Sequence, residues 1–248
     1  MWRIYSTYRE PTYAGAMPST PECESRHLRA DAELNRSRIL AAAQQVFGEQ
    51  GVSAPLSDVA ARAGVGIATL YRRFPDRTAL LRGVVLDALE RTRAAAVEAS
   101  EEHDDAFEAL AAYLRAALEL RVSAVIPQVL DVLDLDEPEL AAAREASARA
   151  TEALVDAAHA AGRLPGDVTF VDVGMMLVRI ARPLPGPMSE ELKHDLARRH
   201  LELFIRGLPR DGSAGSHGLA GPELSRGDLA HMVEHMVEPE VEPRGERT

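Results

Sequence analysis

Cysteine is nearly missing from this 248-residue chain: Cys23 stands alone. A single thiol excludes a disulfide framework within the chain and any cysteine-rich metal site, and it fits a reducing cytoplasm. Aromatic residues are also scarce, at 4%, and Lys193 is the only lysine among 28 basic residues. No apolar run approaches the roughly 20 residues of a membrane span. The opening MWRIYSTYREP lacks the apolar centre of a signal peptide. Clusters of β-branched and aromatic residues are few, which argues against sheets. What is present in quantity is alanine and leucine at helical spacing, and the expected fold class is all-α.

The net charge of −11 by itself argues against a nucleic-acid partner. Its distribution does not. Residues 26–93 carry eleven arginines against seven carboxylates, a net of +4. Residues 94–248 carry 15 basic and 29 acidic residues, a net of −14. A mildly basic module therefore precedes an acidic body. The acidity would hold that body off phosphates, or would simply keep it soluble.

The most informative stretch is Leu56 to Phe74, LSDVAARAGVGIATLYRRF. It reads as a short helix over 56–63, a tight turn at Gly64-Val65-Gly66 and a second short helix over 67–74. Ala60 is small enough for close helix approach, and Gly64 suits the positive φ that ends the first helix. Val59, Val65 and Leu70 supply the apolar contact. This is a helix-turn-helix pattern, whose second helix is offered to a major groove. Ahead of it, Ile39, Leu40, Ala43, Val46 and Phe47 recur at helical spacing over 35–50, with Gly51 placed to stop that helix. After it, Asp76 is an N-cap for a long helix to about residue 100. The expected organisation is a disordered arm over 1–30, a DNA-binding domain over 31–80, a helical regulatory and dimerisation domain over 81–207 and a disordered tail over 208–248. Met17 is an alternative start to Met1.

These residues resemble the tetracycline-repressor (TetR) family of bacterial transcription regulators. The resemblance runs from Asn35 to Leu81. It rests on Ile39, Ala42 and Phe47, then on Ala60, Ala63-Gly64-Val65, Thr69-Leu70-Tyr71, Phe74, Arg77 and Leu80-Leu81. The family usually has Thr where Pro55 stands and often Ser where Gly66 stands, so two hydroxyls are missing. Arg73 replaces a common His or Tyr, and Arg77 a usual Lys. The resemblance implies double-stranded DNA as partner, an Ω-shaped homodimer on a palindromic operator, and repression relieved by an unknown small-molecule effector. It also implies a ligand cavity among the middle helices and dimerisation through the last two.

The residues expected to meet DNA are Ile67 and Ala68 (thymine methyls), Thr69, Tyr71, Arg72, Arg73 and Arg77. Arginine pairs bidentately with guanine, and it also takes phosphate. Beyond residue 100, four or five helices are expected, one of them interrupted by Pro127. Candidate pocket residues are Phe107, Leu110, Tyr113, Leu114, Val125, Ile126, Val129, Leu133, Met175 and Met176, with Arg179 as an anchor for an acidic group or a partner of an Asp. Leu177, Ile180, Leu196, Leu203 and Phe204 are the expected dimer contacts, from segments 168–182 and 189–206 packed as a four-helix bundle. His231 and His235 have helical metal-ligand spacing beside Glu234 and Glu238, but they sit in the Gly/Ser/Pro/Glu-rich tail and read as solvated. No nucleophile–base motif, phosphate loop or Cys cluster appears, so no cofactor, metal or enzymatic activity is expected. The remaining readings are an activator or architectural DNA binder without a ligand, and a helical protein that does not bind DNA.

Overall fold

The computed structural model describes residues 21–120, 129, 132–134, 136–182, 184, 186–208, 219–225 and 227–228. Eight helices and no strand occur among them. They are α1 (Pro21–Gln50), α2 (Leu56–Ala63), α3 (Ile67–Arg73), α4 (Arg77–Glu102), α5 (Ala106–Glu119), α6 (Pro138–Ala160), α7 (Phe170–Ala181) and α8 (Glu190–Gly207). The fold is all-α. Met17, Val125, Ile126, Pro127, His231 and His235 lie outside the described residues.

The chain divides after Ser37. In the first unit the helix begins at Pro21, not at Asn35 as the apolar period suggests. The reason is local rather than hydrophobic. Pro21 occupies the first helical position, where its missing N–H costs nothing. Within this unit Ser37 Oγ donates to the Glu33 carbonyl at 3.1 Å, and Arg36 pairs with Glu33 at 3.7 Å.

From Arg38 on there are two apolar cores. The first gathers Ile39, Leu40, Val46 and Phe47 of α1 with Val59, Leu70, Phe74 and the α4 residues Leu80, Leu81, Val84 and Val85. This is the three-helix head, closed by the first half of α4. Asp76 caps α4 by accepting from the Ala79 N–H at 2.7 Å. Arg77, expected at the DNA, instead donates to the carbonyls of Val52 and Ala54 at 2.6 and 2.7 Å. It staples α4 to the loop between α1 and α2.

The second core gathers Phe107, Leu110, Leu114 and Leu118 of α5 with Leu154, Val155 and Ala158 of α6, Val173 and Leu177 of α7, and Leu201 and Ile205 of α8. The far half of α4 enters it through Ala96 and Ala99. One helix thus serves both cores, and α4 also packs along α6 and α5. Arg82 reinforces the α4–α6 contact by bonding Glu137 at 2.7 Å and Glu139 at 2.5 Å. Helix starts in the body follow local chemistry. Asp105 accepts from the N–H groups of Phe107 and Glu108, and Ser189 from Leu192. Thr169 and Asp172 form a reciprocal capping box.

Candidate nucleic-acid interface

The turn between α2 and α3 has the expected conformation. Gly64 sits at φ 67°, ψ 31°, the left-handed region that glycine enters without Cβ strain. The N–H of Val65 returns to the Ala60 carbonyl at 3.0 Å and that of Gly64 to Ala61 at 3.2 Å. Two orphan carbonyls of α2 are satisfied in this way. α3 is anchored on one side only. Leu70 is fully buried and Phe74 nearly so. Arg62 holds the end of α2 to α1 through a paired contact with Glu49 at 3.0 and 3.2 Å, and both partners sit on the surface of the head.

The other side of α3 is open. Ile67, Ala68, Tyr71, Arg72 and Arg73 are exposed and Thr69 is half-buried. Tyr71 is 48% exposed and Ile67 43%, values a core would not tolerate on a seven-residue helix. Arg72 Nη2 lies 3.5 Å from Thr69 Oγ1, so these two side chains share one patch. Six of the seven expected DNA residues therefore lie on α3 outside its buried edge, five of them exposed and Thr69 half-buried. Arg77 is not among them, because its guanidinium is committed to the Val52 and Ala54 carbonyls. The first turns of α2 and α3 lack side-chain caps at Pro55 and Gly66.

The described pocket candidates fall in different places. Phe107, Leu110, Tyr113 and Leu114 lie in the body core, whereas Val129 and Leu133 pack in the head core. Met175 and Met176 are 37% exposed, and Arg179 is exposed, on the outer side of α7. An apolar stripe on an amphipathic helix has width, and spacing alone does not tell its inner edge from its outer edge. Met176 and Arg179 instead line a groove of about 510 Å³ with Ile180, Leu203 and Phe204. This groove holds part of the expected dimer set. Leu177 does not belong to that set, because it is buried in the chain's own core. Leu203 is 57% exposed, and Leu196 is half-buried.

Inside the body, Thr151 and Tyr113 place their hydroxyls 2.9 Å apart, and Thr151 also donates to the Ser147 carbonyl at 3.1 Å. Burial pushes the Tyr113 phenol up. Sequence reasoning had Tyr113 but missed Thr151 and Ser147. Their signal was two hydroxyls four apart on an otherwise alanine-rich helix.

Family comparison bears on this geometry. Residues 39–84 match the model described as bacterial regulatory proteins, tetR family, and residues 105–210 match that of the SbtR-like transcriptional regulator C-terminal domain. The TetR regulator SCO0520 of Streptomyces coelicolor is 32% identical over 72% of this chain and 99% of its own, with a TM-score of 0.54. The chain belongs to the tetR family of bacterial transcriptional regulators. A TetR regulatory protein from Mycobacterium vanbaalenii is 29% identical over 73% of this chain and 99% of its own, TM-score 0.52. LfrR of Mycobacterium smegmatis, solved in complex with proflavine, is 27% identical over 68% and 95%, TM-score 0.51. No curated protein matches the sequence. DNA binding is what membership of the tetR family implies, and the family is one of regulators rather than enzymes. No described helix is long and apolar enough to cross a membrane.

Proposed function

We propose that this chain is a transcriptional repressor that binds a palindromic operator as a homodimer and is released by a small molecule. The observation that carries the reading is the one-sided anchoring of α3. Leu70 is buried, while Ile67, Ala68, Tyr71, Arg72 and Arg73 form an exposed patch of base- and phosphate-contacting types. In this assignment Thr69, Arg72 and Arg73 meet bases or phosphate, Tyr71 donates to a phosphate, and Ile67 and Ala68 touch thymine methyls. Arg77 holds the frame.

The dimer reading is supported by the outer faces of α7 and α8. Met176, Ile180, Leu203 and Phe204 line one groove, and Leu192 adds a further exposed apolar side chain nearby in sequence. Arg179 and Lys193 border the same groove, and a symmetric four-helix arrangement would cover it. Ligand release is supported by the buried Tyr113–Thr151 hydroxyl pair, a polar anchor in an apolar core, and by a relative that binds proflavine. A ligand acts only through its differential affinity for the operator-competent and operator-incompetent dimers.

The test is retardation of duplexes from the chain's own upstream region, with sedimentation of the same sample. Expected is a dimer at micromolar concentration that retains one duplex and releases it with a ligand. A monomer refutes the dimer, and failure to retain any upstream duplex over random DNA refutes the operator reading.

A further inference from the structure

The groove between α7 and α8 brings apolar and basic side chains together. Met176, Ile180, Leu203 and Phe204 line it, and Leu203 is 57% exposed. Arg179, Arg182 and Lys193 border them. Lys193 holds Glu190 at 2.7 Å, while both arginines are exposed. An exposed apolar strip flanked by cations fits an acidic amphipathic segment.

The chain carries such a segment beyond Asp228. Leu229, Met232, Val233, Met236 and Val237 follow the i, i+3, i+4, i+7, i+8 spacing of one helix face, and Pro239 stops the pattern. From Asp228 to Glu242 there are five carboxylates and no lysine or arginine. Residues 229–242 lie outside the described residues, but the chain leading into them is held at two points. Ser225 and Asp228 cap each other where the apolar spacing begins. The Ser225 N–H donates to Asp228 Oδ2 at 2.8 Å, and the Asp228 N–H donates to Ser225 Oγ at 3.2 Å. Upstream, the Leu219 N–H donates to Asp167 Oδ2 at 2.9 Å, just ahead of α7. The twelve residues of α7 put the groove at its far end roughly 18 Å from that anchor. The ten residues from Leu219 to Leu229 span up to about 33 Å, so the apolar stripe reaches the groove.

We propose that residues 226–242 dock in the α7–α8 groove of their own chain. The Leu229–Val237 stripe then covers Met176, Ile180, Leu203 and Phe204, and the tail carboxylates lie beside Arg179, Arg182 and Lys193. A second copy uses the same groove in the dimer reading, so tail and second copy exclude each other. The tail thereby sets the concentration at which the dimer forms. That consequence rests on the dimer reading, but the docking itself does not. Both copies must be free to pair, so a groove open in about one chain in three weakens pairing about tenfold.

Lys193 is the only lysine, which makes the groove chemically addressable. A zero-length carbodiimide couples its amine to a touching carboxylate, and mass spectrometry of the digest identifies the partner. Coupling to Glu190 is the internal control. Expected in an equal mixture of ¹⁴N and ¹⁵N full-length chains is coupling of Lys193 to Glu234, Glu238, Glu240 or Glu242 within one isotope. Met232→Gln combined with Met236→Gln keeps every carboxylate. It should cut the tail products about tenfold or more, since two apolar side chains leave the groove, and spare the Glu190 product. Sedimentation of the same variant should give a dimer about tenfold tighter. Absent tail products, tail products of mixed isotope, or tail products untouched by the glutamines overturn the docking. An unchanged dimer constant after their loss overturns the competition. If the tail products form and neither protein dimerises, the dimer reading fails and the docking stands.

Discussion

Arg77 of α4 is bonded to Val52 in the loop after α1: its Nη1 donates to the Val52 carbonyl at 2.6 Å, while Nη2 takes Ala54 at 2.7 Å. The loop that leads into α2 is thereby fixed to the helix that leaves α3. Two partly buried bonds from one cation are at stake, so Arg77→Ala is expected to lower stability by about 2 kcal/mol. A urea midpoint measures this. Arg77→Lys recovers only part, since one ammonium does not reproduce the planar fork. An unchanged midpoint would show that the staple contributes nothing.

Arg72→Ala should behave in the opposite way. The side chain is exposed on α3, so the unfolding midpoint stays where it is. Affinity for the cognate duplex falls by about 1–3 kcal/mol, and discrimination against altered operators narrows. Equal binding of wild type and variant to both cognate and random duplex would remove Arg72 from the reading face.

Gly83 of α4 faces Phe74 closely. A Cβ there would lie 2.9 Å from Phe74 Cε1 and 3.2 Å from Leu40 Cδ2, and both partners are buried. Gly83→Ala gains helix propensity, about 0.5–1 kcal/mol, yet overpacking costs about 1–3 kcal/mol. Net destabilisation is expected, read as a lower thermal midpoint. Gly48 in α1 is the control. A Cβ there meets nothing within 4 Å, so Gly48→Ala should stabilise. The same sign at both positions would contradict the packing argument.

These cases show which parts of the structure were legible in the sequence. Gly64, Asp76 and Ser189 act within three or four residues of themselves, and their roles as turn or cap could be read directly. The exposed side of α3 was legible because Leu70 and Phe74 are its only large apolar residues facing a partner. The staple made by Arg77 is not legible, because its acceptors lie in a loop more than twenty residues upstream, where no local pattern points. Met175 and Leu177 were misassigned for a related reason. Both sit on one apolar helix, and only its packing tells which edge faces the core. The burial of Gln44 is not legible either, since its partner Arg91 comes from another helix.

The α5–α8 contact contributes one part of the pH dependence. Arg198 holds the Glu119 carboxyl below its ordinary 4.5, and Arg115 does the same for Glu202. The folded state thus binds fewer protons than the unfolded chain in acid, and stability rises with pH across that range. The contribution is complete above the ordinary glutamate value and is lost as pH falls through the depressed one. Both pairs are well exposed, so the effect is modest and screened by salt. Urea midpoints at pH 6 and pH 3 should differ less in Glu119→Gln than in wild type. An equal difference would exclude Glu119 as a contributor.

Selection of bound sequences from a random duplex pool tests the central claim most directly. The account predicts enrichment of one palindrome whose half-sites are spaced about 34 Å apart, a helical turn, as two symmetric α3 helices require, with that enrichment lost in Arg72→Ala. Recovery of no common sequence, or of a single unpaired half-site by a monomeric protein, would contradict it.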